Sequence, residues 1–516
     1  MLTQEAGPVR SGARASWIGR SVETVTSQRV VIALMAIGAA VRFATIASQS
    51  YWLDEAQAAH EVSLSFGHML SAWSSSEWNP PLYLLLAWPW AHIFGTGEAG
   101  LRSLSAIFGI ALIPVLYACG SELVSRRAGL VAALLVAVNP FMVWYSQEAR
   151  EYMLLALLSG ASLWLYARTY RTGARRDLVW WSILSALALL TQYFAGFLVV
   201  AEAIVLIWRL RSRESVVAVA LQGVVLAAFL PHVLPQLRVP ATFITDQPLL
   251  LRLQQVPVTF ALNTLYKSSL VHWGLVGGAV AAAVVIGLLL IAAEDRELEG
   301  VVLAAIPAAA VLLIPLAMSL VGHDDYLARG LMPAWPPLAV VFAAACTPRR
   351  APVAGAALAV VLVGLSVWSG IRIDTDQVFQ RPDWRGVAAA LGPRWAGEDV
   401  GRSRAIVTYP GDFASGPLSL DLDRTPWAGP GEAPATDAGP ATISEIDVVA
   451  NAGQPLAATA NGDRLIARHD VDGYLVARIS LPAPVSATAS TVLAAADALL
   501  ATPSAQAPVM FQQPAR

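Results

Sequence analysis

The sequence predicts a polytopic α-helical membrane protein with a small α/β domain at its C-terminal end. Only 14% of its 516 residues are charged and 56% are hydrophobic. Its mean hydropathy is +0.57, whereas soluble domains carry about 25% charged residues. Apolar stretches of about spanning length recur up to residue 371, and mixed polar sequence follows. A net charge of −2 gives no basic character and no case for a nucleic-acid partner.

Residues 1–29 carry Arg10, Arg14, Arg20 and Arg29 and read as a cytoplasmic segment before an uncleaved first helix. Apolar stretches follow at 30–47, 101–119, 128–144, 151–167, 178–191, 193–208, 215–233, 270–292, 300–321, 331–346 and 353–371. A further stretch, 79–94, is short for a span and rich in Pro and Trp. Basic loops remain cytoplasmic. The clusters Arg126/Arg127, Arg168 to Arg176, Arg209/Arg211/Arg213 and Arg349/Arg350 fall on the side of the N-terminus only if 79–94 does not cross. That stretch is therefore read as interfacial or re-entrant. The result is about 11 spans in a transmembrane domain over 30–371, with a first external loop 48–100, the N-terminus inside and the C-terminus outside.

Beyond the last span, Ala405 to Tyr409 and Tyr474 to Ile479 alternate like strands, and Trp384 to Leu391 reads as a short helix. Residues 372–480 are expected to form the external α/β domain, with a Pro/Gly/Ala-rich loop at 426–442. Residues 481–516 read as a low-complexity tail. Cys119 and Cys346 lie far apart in apolar sequence and provide neither a disulfide framework nor zinc spacing.

The unusual polar residues gather in the outer loops. Asp54 and Glu55 follow the first span, and Asn79-Pro80-Pro81-Leu82-Tyr83 opens the interfacial stretch. Tyr145-Ser146-Gln147-Glu148-Ala149-Arg150 occupies a short outer turn, and Asp324-Asp325-Tyr326-Leu327-Ala328-Arg329 precedes a Pro-rich span. Two adjacent carboxylates disfavour joint ionisation, and one in a partly dry setting suits general-base work on an alcohol. Arg150 and Arg329 offer permanently charged planar forks that match a phosphate. Together these residues describe a site for a lipid-linked phosphate and a hydroxyl nucleophile. Structural roles compete with that reading: an acidic helix start for the Asp-Glu pair, and snorkelling anchors for the arginines. No two of His60, His68 and His323 have metal-ligand spacing.

The ordered set resembles bacterial glycosyltransferase family 39, which includes the protein O-mannosyltransferases and the lipid A aminoarabinose transferases and has the GT-C fold. It comprises Asp54-Glu55, then Asn-Pro-Pro-Leu-Tyr, then Tyr-Ser-Gln-Glu-Ala-Arg-Glu-Tyr, then the Arg329 loop before the Pro-rich span. The resemblance covers roughly residues 30–370. In addition, Arg381-Pro382-Asp383-Trp384-Arg385 resembles the segment after the last span in actinobacterial members.

The resemblance implies inverting transfer of a mannose- or pentose-like sugar from a polyprenyl-phosphate donor. The acceptor would be a hydroxyl of a cell-envelope glycan, lipid or protein, on the outer face of the cytoplasmic membrane. Asp54 matches the family's catalytic Asp, and Glu55 its acidic neighbour. Asn79 stands where the family commonly has His, a departure that weakens a metal or proton relay there. The resemblance names no certain cofactor and leaves a divalent metal open. Donor-phosphate binding is expected at Arg150 and Arg329. Substrate binding is expected at Asn79, Tyr83, Tyr145, Gln147, Glu148 and Tyr326. The alternative expectation is a lipid-linked sugar flippase or transporter, against which the lack of an internal repeat and the one-sided polar residues argue.

Overall fold

The computed structural model describes residues 12–76, 79–236, 242–263, 269–392, 403–422, 427–428, 440–457, 462–500 and 507–512. The chain divides into two compact units. The first comprises Met1–Ala44, Ser71–Trp90 and Arg102–Ile373, and the second Thr45–Leu70, Ala91–Leu101 and Asp374–Arg516.

The first unit is helical. Six described helices are long and apolar enough to cross a membrane: Val25–Ala44, Glu98–Leu123, Arg213–His232, Gly274–Ile291, Asp295–Leu320 and Pro352–Thr375. A seventh candidate is Arg126–Val138 with Pro140–Ser146, bent by 56°. The bend has a local cause. Pro140 pushes Asn139 out of helical conformation, and Asn139 then caps the next segment by accepting from the Met142 N–H at 3.1 Å. The remaining expected spans form the helices Tyr152–Thr172, Arg175–Leu189, Ala195–Leu210 and Met332–Cys346. Three of these helices share buried polar side chains. Glu202, fully buried, accepts from Ser162 Oγ at 2.6 Å and Trp181 Nε1 at 2.7 Å and so ties three helices. The helix Leu82–Phe94 has 13 residues. At 1.5 Å per residue it extends about 20 Å, short of the ~30 Å hydrocarbon core.

The second unit holds a six-stranded sheet. Its strands are β1 (Arg404–Thr408), β2 (Trp427–Ala428), β3 (Ala441–Asn451), β4 (Arg464–Val471), β5 (Tyr474–Ala487) and β6 (Val509–Gln512), in spatial order β2-β6-β1-β3-β5-β4. The β1–β3 pair is parallel, and the other pairs are antiparallel. β4 and β5 form a hairpin across Asp472 and Gly473, both at positive φ (48° and 81°), as a two-residue turn of the Asp-Gly kind requires. Both faces of the sheet are covered. Ala405, Val407 and Val448 pack with the helix Ala489–Leu500 through Val492 and Ala496. Ile406 and Val449 pack with Trp384 and Leu391 of the helix Trp384–Leu391 and with Leu418 of Asp412–Asp421.

This arrangement corrects two expectations. The segment from 481, expected as a low-complexity tail, carries the end of β5, a helix covering one sheet face, and β6, paired between β1 and β2. Its Ala-rich helix buries Val492, Ala496, Leu499 and Leu500, an apolar stripe at helical spacing. The first external loop 48–100, expected as part of the membrane domain, is divided: 45–70 and 91–101 belong with the sheet, and 71–90 with the membrane helices. The physical reason is polar pairing of 47–55 with 381–385. Most of the expected loop 426–442 lies outside the described residues.

Trp384 is 1% exposed and packs its ring against Tyr474 at 4.7 Å between centroids. Trp384→Ala is expected to destabilise the sheet unit by about 3–5 kcal/mol. An earlier thermal unfolding transition of the purified protein would show it, and an unchanged transition would contradict this packing.

Candidate active site

The Asp54-Glu55 pair lies in the first turn of the helix Leu53–Ser63, where carboxylates complement the helix dipole. Its two members have different surroundings. Glu55 is fully buried. Its Oε2 accepts from the Trp52 N–H at 3.5 Å and stands 3.6 Å from Arg381 Nε, whose side chain is 5% exposed. Asp54 is half-buried. The adjacent carboxylates therefore divide into one committed to an internal ion pair and one that reaches the surface. Arg381 belongs to the Arg-Pro-Asp-Trp-Arg segment already notable in the sequence, but nothing in the sequence pairs it with Glu55.

The other candidates lie in the membrane unit. The turn after the bent helix pair is stitched to the first span by Arg42, which is completely buried. Its guanidinium donates to Ser146 Oγ (2.9 Å) and to the carbonyls of Gly38 (3.1 Å), Ala137 (3.0 Å) and Val136 (2.9 Å). Its own carbonyl accepts from Gln147 Nε2 at 2.8 Å. Two of those acceptors, Val136 and Ala137, sit at the helix end that the Asn139-Pro140 break leaves open, so the arginine serves carbonyls that the helix itself no longer satisfies.

A second network follows directly in sequence. Arg150 Nε lies 3.0 Å from Glu151 Oε2, and Asn79 Nδ2 donates to Glu151 Oε1 at 2.9 Å. Ser105 Oγ donates to the Arg150 carbonyl at 3.3 Å, and Tyr83 OH lies 3.5 Å from Ser105 Oγ. Asn79, Tyr83 and Arg150, far apart in sequence, are thus joined through Glu151 and Ser105, two residues not singled out as candidates. Glu151 had a signal, since it sits inside the Tyr-Ser-Gln-Glu-Ala-Arg-Glu-Tyr run. Glu148 is buried (2% exposed), and Tyr145 packs edge-on against Tyr152 at 4.9 Å.

The Tyr326 loop is held by another arginine absent from the candidates. Arg252 pairs both guanidinium nitrogens with Asp324 and donates to the Tyr326 carbonyl at 2.8 Å. The fork's hydrogen bonds hold the Asp324 carboxyl below the usual carboxylate range. Tyr326 is buried, and Arg329 is half-buried. The Phe260 carbonyl, on the same helix as Arg252, accepts from Asn139 Nδ2 (3.0 Å) and Trp335 Nε1 (3.4 Å), which gathers three segments around one backbone carbonyl. Among the described residues, no three His, Cys, Asp or Glu side chains group as a metal site.

Arg42→Met would leave several buried acceptors without donors, at about 1–3 kcal/mol each. The expected outcome is a lower melting temperature in detergent together with faster proteolysis at the 146–152 turn. Wild-type melting would contradict the role of this arginine.

The family model of dolichyl-phosphate-mannose-protein mannosyltransferases matches residues 78–234, the span that holds Asn79, Tyr83 and the 145–151 turn. A search of curated proteins finds no significant sequence match. Among solved structures, the chain is similar to ArnT from Cupriavidus metallidurans bound to undecaprenyl phosphate, at 15% identity and a TM-score of 0.54, over 87% of this chain and 97% of that one. The apo form of the same protein gives 14% identity and a TM-score of 0.55, over 88% and 98%. The chain is therefore similar over residues 78–234 to the dolichyl-phosphate-mannose-protein mannosyltransferase family, and it shares its fold with ArnT.

Proposed function

We propose that the protein is a membrane glycosyltransferase. It moves a sugar from a polyprenyl-phosphate donor to an acceptor hydroxyl on the outer face of the plasma membrane, with the N-terminus inside and the sheet unit outside. The fold supports a lipid-linked donor, because its structural neighbour ArnT is known with undecaprenyl phosphate bound. Within this chain, the division of the carboxylate pair carries the reading. Glu55 is buried against Arg381, and its neighbour Asp54 is half-buried in the same helical turn.

Asp54 accepts the proton of the acceptor hydroxyl as its oxygen attacks the anomeric carbon. The bond from that carbon to the phosphate oxygen breaks, its electron pair leaves with the polyprenyl phosphate, and configuration inverts. The leaving group is a weak base and needs no proton donor. An arginine stabilises its growing charge. Arg329, half-buried, and Arg150, which faces Glu151, are the two arginines proposed for this role. Asn79, Tyr83, Tyr145, Gln147 and Glu148 are proposed to shape the substrate site through the turn they build. The acceptor is a cell-envelope glycan, lipid or protein, and the sugar is mannose- or pentose-like. Nothing in the fold comparison supports the flippase alternative.

Deleting the gene is expected to remove one sugar modification from the envelope, read by mass spectrometry of glycans and glycoproteins. Wild-type protein restores it. Asp54→Asn, present in the membrane at wild-type level, is expected to transfer about 10²- to 10⁴-fold more slowly. Wild-type transfer by Asp54→Asn would remove Asp54 as the base, and lipid movement in vesicles without covalent transfer would overturn the enzyme.

A further inference from the structure

The helix that carries Asp54 begins with one local cap contact, Glu55 Oε2 accepting from the Trp52 N–H at 3.5 Å. Trp52 occupies the N-cap position with no side-chain cap hydrogen bond, and an indole has no acceptor to offer. Neighbouring chain can supply the rest of the support for such a start. Here it is held by Arg381-Pro382-Asp383-Trp384-Arg385, which lies 332 residues along the chain from Gln49 but in the same compact unit.

The contacts run along the whole approach to the helix. The Arg381 N–H donates to Gln49 Oε1 at 2.9 Å, and Arg381 Nε faces Glu55 at 3.6 Å. The Arg385 N–H donates to Ser50 Oγ at 3.1 Å, and its guanidinium donates to the carbonyls of Ala47 (3.2 Å) and Ser48 (2.7 Å). Ser50 Oγ in turn donates to Asp383 Oδ1 at 3.4 Å. The segment is itself rigidly mounted. Asp383 caps the helix Trp384–Leu391 by accepting from the Gly386 N–H at 3.0 Å, and Trp384 is buried in the core on one face of the sheet. A continuous path of short contacts therefore joins the sheet core to the turn bearing Asp54.

We propose that Arg381 and Arg385 are positioning residues for the Asp54 carboxylate, which makes this segment of the sheet unit part of the transfer machinery. Arg381 engages Glu55, the residue next to Asp54, and so sets the direction in which the first helical turn presents Asp54. Arg385 fixes the strand of chain that leads into that turn. The proposal rests on the reading of Asp54 as the base.

The test uses the full-length protein in detergent with synthetic polyprenyl phosphomannose and phosphoarabinose as donors. In Arg381→Met/Glu55→Met the ion pair is removed as a unit, so no buried charge is left alone. This variant is expected to keep the wild-type melting temperature and the donor KM while kcat falls about 10- to 100-fold, the cost of a slightly misplaced reacting group. Arg381→Lys, which keeps a charge beside Glu55 but not the planar fork, is expected to fall between the two.

A second readout does not depend on turnover. Asp54→Cys is labelled with a membrane-impermeant maleimide, with Cys119 and Cys346, both buried, as internal controls. Its labelling rate is expected to change when Arg381→Met or Arg385→Met is added. Wild-type kcat in the pair-deleted variant, or labelling rates indifferent to both arginines, would overturn the proposal. Full activity in Asp54→Asn combined with altered labelling would overturn the assignment of the base and leave the positioning intact.

Discussion

The buried pairing of Glu55 with Arg381 is the constraint on which the candidate site depends. Both side chains are almost wholly removed from water. An ion pair in that setting stabilises little in net terms, because desolvation offsets much of the attraction, yet breaking it by removing one partner costs about 3–5 kcal/mol. The gain is specificity of position. With Glu55 paired to Arg381, the helix Leu53–Ser63 has a defined rotation and entry, and these set where the proposed base Asp54 stands. This arrangement also accounts for why 45–70 belongs with the sheet rather than with the membrane helices.

In the membrane unit, buried arginines do a comparable task by other means. Arg42 meets carbonyls and a serine, and Arg252 meets Asp324 and the Tyr326 carbonyl. Each holds an irregular stretch of backbone that would otherwise leave polar groups unpaired, which an apolar setting penalises heavily. The break at Asn139-Pro140 and the loop before Met332 are both stretches of this kind. Polar side chains near these breaks thus serve first to make irregular backbone tolerable, and the candidate substrate residues Tyr145, Gln147 and Tyr326 lie on the backbone so held.

What the sequence revealed follows the range of the forces involved. Trp384 to Leu391 and the alternating runs in β1 and β5 were legible, because period and capping are local. The helix Ala489–Leu500 was not: its Ala-rich composition resembles low complexity, and its apolar stripe has meaning only once a sheet face exists to receive it. Asp54, Asn79 and Arg150 stood out as polar residues at loop positions. Arg42 was hidden within an apolar run, and its partner Ser146 lies 104 residues away. Glu151 stands beside Arg150 in the same polar run, and its link from Arg150 to Asn79 exists only in the folded chain. Partner identity across hundreds of residues is a property of the folded chain, and the pairing of Glu55 with Arg381 is an instance of it.

The central claim is that the Asp54 carboxylate takes the acceptor's proton. Chemical rescue tests it most directly. Asp54→Ala leaves the clasp of Glu55 and Arg381 in place and opens room at the helix start. Added formate is expected to restore a measurable fraction of sugar transfer to this variant while leaving the wild-type rate unchanged. Transfer by Asp54→Ala at the wild-type rate, without formate, would contradict the account.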